Sequence, residues 1–205
     1  KRPGKETHAD YMMQDSLKVT FLGGLGEIGR NMQVLEYKED IMLIDAGFGF
    51  PEDDQPGIDY NLPNVSSLEE KKDRIRGLIL THGHYDHIGA LPYILNRLGN
   101  PPIYCSRLTW GIVMKRHQEF PALPAMDITI VDDRDIIQLG ANFKVEFVHV
   151  NHNIPEDLAL YVTTPAATLF HTADFKFDPE PLNEKPTDIE YLKELGRRGV
   201  TILLS

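Results

Sequence analysis

The chain has 205 residues, of which 41% are hydrophobic and 25% charged, with a formal net charge of −10; this is the composition of an ordinary globular protein able to bury one substantial core. So negative a balance argues against broad nonspecific affinity for phosphate backbones, which rests on Lys and Arg, although it leaves room for a phosphate substrate held through cations. No apolar run approaches the ~20 residues needed to cross a bilayer, and a single cysteine, Cys105, excludes an internal disulfide and agrees with a reducing setting, so the expected compartment is the cytoplasm, with no membrane partner.

Residues 1–16 are polar and without periodicity, and are expected to be a flexible arm ahead of one domain over 17–205. Lys18 to Leu22 reads as the first strand. After it, Gly24, Gly26 and Gly29 fit the GxGxxG fingerprint of a dinucleotide site, with Asp45 near the place of a ribose-binding acid. A dinucleotide unit, however, needs a crossover helix. Met32, Val34, Glu36 and Lys38 alternate as an extended chain does, so the glycines are assigned to a tight turn beneath the main site. Ile41 to Ile44 is a buried strand ending in Asp45-Ala-Gly, where the acid is placed to orient a metal-binding histidine. Residues 48–64, rich in Pro, Gly and Asp, form a long loop, and 69–76 a charged helical segment.

Leu78 to Leu80 is a buried strand, and apolar residues at helical spacing run from Ile88 to Leu98. Between them lies His82-Gly-His-Tyr-Asp-His87. Three imidazoles and a carboxylate on a turn between strand and helix are a metal-ligating set. His82 and His84 reach one cation together, while Asp86 and His87 are placed for a second, and two such cations clamp the attacking and leaving oxygens of a hydrolysis.

Downstream, Pro101 to Cys105 is a strand with Cys105 a packed core thiol, 109–120 a helix bearing a surface His117, and Ile128–Val131, Ile136–Leu139 and Phe143–Val150 are short strands. His149 lies within the last of these and His152 follows its end, where a loop can turn it toward metal, so His152 is favoured as the ligand. Tyr161–Thr164 and Thr168–Thr172 make a hairpin-like pair leading to Asp174, another acid at a strand end, placed to bridge two cations; His171 is assigned to the core or to supporting a ligand. A proline-broken loop over 178–187, a helix from Ile189 to Arg197 and a final buried strand from Val200 to Leu204 complete the chain.

HxHxDH after an apolar strand resembles the signature of the metallo-β-lactamase superfamily, which implies an α/β fold, the αβ/βα sandwich, with metals at one edge. Taken with Gly23-Gly-Leu-Gly-Glu-Ile-Gly-Arg-Asn-Met32, Asp45-Ala-Gly, Phe50-Pro-Glu-Asp, Gly57-Ile-Asp-Tyr60, His152-Asn-Ile-Pro and His171-Thr-Ala-Asp-Phe-Lys-Phe177, the chain resembles the ribonuclease J family, the branch of that superfamily carrying a β-CASP insertion. The resemblance implies RNA as substrate, endonucleolytic and 5′-to-3′ exonucleolytic cleavage in RNA processing and decay, two divalent cations, zinc or alternatively manganese, and a homo-oligomer, dimer or tetramer, in the full-length form. By it, His82, His84 and His152 hold one metal and Asp86, His87 and Asp174 the other, with Asp174 bridging. Asp86 and Asp45 are the catalytic carboxylates, Asp86 steering the attacking hydroxide and Asp45 supporting the ligands. Tyr85 departs from an acid common in the family and Ala173 from a glycine. Family members continue from this last strand into the β-CASP insertion and return with a further histidine; none of that is present, so the sandwich is expected to be incomplete. The alternatives are another hydrolase of the superfamily, acting on a lactam, thioester or lactone, or a catalytically silent scaffold.

Overall fold

The computed structural model describes residues 15–51, 53 and 55–205; the expected arm over 1–16 lies almost wholly outside them. Two sheets face each other. The first has the order β1 (Lys18–Gly23), β2 (Met32–Tyr37), β3 (Asp40–Ile44), β4 (Ile75–Ile79), β5 (Ile103–Cys105) and β6 (Ile128–Ile130). The second runs β11 (Ile202–Leu204), β10 (Thr168–His171), β9 (Asp157–Thr163), β8 (Phe143–Val150) and β7 (Ile136–Leu139). β1, β2 and β3 are antiparallel and β3 to β6 parallel. In the second sheet only β10 and β11 are parallel.

Period-two alternation sorts these strands into layers. On β3, Ile41 and Leu43 join a core with Ile88, Leu91 and Ile94 of the covering helices, while Met42 and Ile44 turn inward to Phe143, Phe147 and Leu160 of the second sheet. On β9, Leu158, Leu160 and Val162 face that central core, and Ala159 and Tyr161 pack outward against Leu195 of a helix at Ile189–Arg198. The result is the expected sandwich, helix on sheet on sheet on helix. Away from the strand ends that carry the site, Asp40 ties the sheets together: its carboxylate accepts from Arg76 Nε at 2.6 Å, Ala141 N at 2.8 Å and Asn142 Nδ2 at 2.7 Å.

Several element boundaries differ from the sequence expectation. The charged segment at 69–76 is not one helix: α1 (Ser66–Glu69) and a 3-10 turn (Lys72–Arg74) precede β4, which already begins at Ile75. The helical spacing after the central motif is divided between α2 (Tyr85–Ile88) and α3 (Leu91–Ile94), because Ala90 N donates to Ala46 O at 2.8 Å instead of back to Asp86 O, which accepts from Asn31 N. The helix expected over 109–120 begins earlier, as α4 (Arg107–His117), with Ser106 capping it by accepting from Thr109 N. The final strand is an edge strand with Leu203 exposed, not a buried one. The helix α5 (Ile189–Arg198) lies where expected. Among the described residues no helix is long and apolar enough to cross a membrane.

Candidate metal centre

Every candidate ligand stands just beyond the C-terminal end of a strand: His82 to His87 after β4, His152 after β8, Asp174 after β10. The two sheets are joined at this end by a hydrogen bond from Leu158 N to Thr81 O, 3.1 Å. Side chains distant in sequence therefore converge. Donor atoms of His82, His84 and His152 lie within 4.8 Å of one another, as do those of His82, His87 and Asp174. His82 Nε2 is 2.9 Å from His84 Nδ1. Asp174 places one oxygen 3.6 Å from His87 Nε2 and the other 3.6 Å from His152 Nε2, so its carboxylate lies between the two groups. Asp86 stands beside the second group, its Oδ2 3.5 Å from His87 Nε2.

The backs of the rings are held as carefully as their fronts. Asp45, wholly buried, takes the position φ +60 at the end of β3 and sets Oδ2 2.8 Å from His87 Nδ1, while Oδ1 accepts from Thr81 N at 2.8 Å. It is therefore set against the back of the His87 ring and closed off from solvent. Thr81 Oγ1 lies 3.0 Å from Asp45 Oδ2 and 3.0 Å from His82 Nδ1. With its one hydrogen given to the carboxylate, the hydroxyl accepts from His82 Nδ1, which leaves the Nε2 lone pair facing His84. Burial opposes a charge on His87, but Asp45 and Asp174 override it and hold the imidazolium up to about 10. Burial and the neighbouring His87 charge push His82 the other way, far below an ordinary histidine. The His87 imidazolium, 3.6 Å away, is the chief reason that Asp174 is held below the usual carboxylate range. The proton on His87 is the one a cation would displace.

The glycine turn lies beneath this cluster, as the sequence suggested. Gly24, Gly26 and Gly29 all have positive φ, and β1 and β2 pair directly, without a crossover helix; the fingerprint belongs to a turn and not to a dinucleotide unit. What the turn delivers is Asn31, a residue sequence reasoning assigned no role. Its backbone N donates to Asp86 O at 3.1 Å, and its Nδ2 is 3.1 Å from His87 Nε2 and 3.3 Å from Asp86 Oδ2. Gly47 is required at the same spot, because a Cβ there would sit 1.5 Å from Asp86 O.

A second unassigned residue is Asp157, the first of β9. It is completely buried, its Oδ2 is 3.2 Å from His82 Nδ1, and neither oxygen accepts a hydrogen bond. The available signal was the alternation of Leu158, Leu160 and Val162, which extends β9 back from Tyr161 to the site. Burial first, and the charge of Asp45 second, push its carboxyl up to about 9. The native fold thus holds this proton more tightly than the unfolded chain, whose carboxyl titrates near 3.8, and stability present below that value is lost as pH rises toward about 9. In a chelated sample, Asp157→Asn is expected to raise Tm over the wild type by an amount that grows from pH 5 to pH 8.5; melting curves that stay parallel across this range would exclude the role.

Two further buried histidines among the described residues belong to neither donor group. His149 is buried with Nε2 2.9 Å from Lys185 O, and His171 is buried with Nδ1 accepting from Ala173 N at 3.0 Å. Cys105 is fully buried and its thiol is pushed up to about 12 by burial. Imidazole nitrogens in one group, and imidazole nitrogens with a carboxylate in the other, are a donor set that fits divalent cations.

A sequence model of the metallo-beta-lactamase superfamily matches residues 25–197. Among curated proteins, the chain is 38% identical over 190 residues to ribonuclease J of Synechocystis sp., a match covering 93% of this chain and 30% of that protein. It is 41% identical over 188 residues to ribonuclease J of Mycobacterium tuberculosis, covering 92% of this chain and 33% of that protein. The chain thus spans about a third or less of these relatives' length. Among solved structures, an N-acyl homoserine lactone hydrolase described with its product at the catalytic metal centre superposes with a TM-score of 0.53 at 19% identity, over 85% of this chain and 79% of that one. The likeness to it is one of fold.

Proposed function

Because the chain belongs to the metallo-β-lactamase superfamily, we propose that its strand-end cluster is the active site of a metal-dependent ribonuclease that hydrolyses RNA phosphodiester bonds, in the manner of the ribonuclease J proteins it resembles. The observation that carries this is the convergence of three loops on two donor groups that share His82, one of His82, His84 and His152 and one of His82, His87 and Asp174, the donor atoms within each group lying inside 4.8 Å of one another. In this reading His82, His84 and His152 hold one cation, Asp86, His87 and Asp174 the other, and the two oxygens of Asp174 reach toward both. Bound divalent cations supply Lewis-acid activation of water and neutralise charge on the phosphate.

The protein's own part is positional. Asp45 fixes the His87 ring, Thr81 fixes that of His82, and Asn31 together with Gly47 seats the Asp86 turn. Asp86, a third of its side chain exposed, is the carboxylate able to orient an attacking water. Both endonucleolytic and 5′-to-3′ exonucleolytic cleavage, a cytoplasmic setting and a homo-oligomer are proposed with it. The test offers 5′-monophosphorylated RNA, an acyl-homoserine lactone, a thioester and a lactam to this chain, and to any longer protein that carries it, loaded with zinc or manganese. RNA cleavage abolished by chelation is the expected result; turnover of the lactone, thioester or lactam alone would overturn the assignment.

A further inference from the structure

A cluster of aromatic side chains, Phe48, Phe50, Tyr60 and Tyr85, packs together on the loop after β3 and the central motif. Tyr85 lies between His84 and Asp86 in the central motif, yet its ring is 43% exposed, and Phe50 on the neighbouring loop is 71% exposed. Both rest on the buried Phe48, whose ring centroid is 5.8 Å from that of Tyr85, 5.4 Å from Phe50 and 4.5 Å from Tyr60. Phe48 is itself locked in place, since a side chain on Gly89 would meet its ring at 2.2 Å. The Arg116 guanidinium lies over Tyr85 at 5.7 Å. Two exposed rings set on one buried ring, with a cation over one of them, present apolar faces to solvent and offer no metal-donor atom of the two candidate groups.

We infer that Tyr85 and Phe50 form a stacking platform for the bases of single-stranded RNA next to the phosphate being cut, a reading that rests on the ribonuclease assignment above. Two features select this occupant. The platform is continuous with the ligand turn, since the flanking residues of Tyr85 are themselves candidate ligands. The chain, at −10, is poorly suited to grip a polyanion by charge, whereas an aromatic face engages any base and tolerates any sequence. An acid in place of Tyr85 would add repulsion beside the phosphate; the phenol ring adds a stacking surface.

The experiment measures binding of a fluorescein-labelled, 5′-monophosphorylated oligoribonucleotide by anisotropy under chelation, which blocks cleavage. A parallel series carries a single abasic ribose moved one position at a time along the strand. Wild-type protein is expected to bind the intact strand about tenfold more tightly than the strand abasic at one or two positions. Tyr85→Leu should bring the intact strand down to that weaker level while leaving the matching abasic strand unchanged, Phe50→Leu should do the same at an adjacent position, and Tyr85→Phe should restore wild-type binding. Equal weakening of intact and abasic strands, or no weakening at all, would overturn the platform while leaving the nuclease assignment in place. A change of oligomeric state in Tyr85→Leu would overturn it in favour of a protein interface. Wild-type protein that neither binds nor cleaves any RNA would fail the underlying ribonuclease reading instead.

Discussion

In the proposed ribonuclease, replacing His84 with alanine is expected to reduce RNA cleavage by about a hundred- to a thousandfold, the scale of losing a principal transition-state stabiliser, while leaving the circular dichroism spectrum and Tm close to those of the wild type. The structural argument lies in what His84 does not do. Its backbone takes the extended conformation that opens α2, φ −73 and ψ 147, and its carbonyl accepts from His87 N and Ile88 N. Its side chain makes no contribution to capping that helix. The imidazole instead meets the rings of His82 and His152, with centroids 4.6 and 5.1 Å away. Alanine therefore removes one donor and keeps the turn. Metal analysis after dialysis should show about one cation fewer than in the wild type, in keeping with one site of a pair being opened. Wild-type turnover by the variant would remove the His82, His84 and His152 group from the chemistry.

The candidate turn stood out in the sequence because side chains able to bind metal rarely occur at such tight spacing: His82, His84, Asp86 and His87 have no ordinary structural reason to stand together. Asp174 and His152 were legible through strand ends, since each follows an alternating apolar run. The layers were legible too, because β3 and β9 alternate so regularly that two different cores could be written from one strand. Asp157 and Asn31 were not. A carboxylate that works behind a histidine carries no motif, and its position depends on which backbone lies across the sheet interface, as the Leu158 to Thr81 hydrogen bond shows. The helices around the motif were misjudged for a similar reason. Apolar spacing at 88–98 reports a covered face, but the break between the two helices follows backbone hydrogen bonds made to other segments, Ala90 N to Ala46 O and Asn31 N to Asp86 O. Local propensity gave way there to a tertiary contact.

Asp174 should be the most sensitive single position in the site, and Asp174→Ala the variant that separates a bridged pair of cations from two independent ones. Its side chain is nearly half exposed, so alanine takes nothing from the core and the fold should persist. Yet its two oxygens reach separately toward His87 and His152, each at 3.6 Å, so a single truncation weakens both groups. Where His84→Ala should keep roughly one cation, Asp174→Ala should retain less than one and lose cleavage by more than about a thousandfold, because charge neutralisation fails on both sides of the phosphate at once. Removing the carboxylate also strips His87 of a partner that favours its charged form, leaving Asp45 and the neighbouring Asp86; the His87 ring should then titrate lower in the chelated variant, a shift readable by NMR. If Asp174→Ala instead kept the same metal content as His84→Ala, the two groups would be filling independently, and the carboxylate between them would serve one cation only.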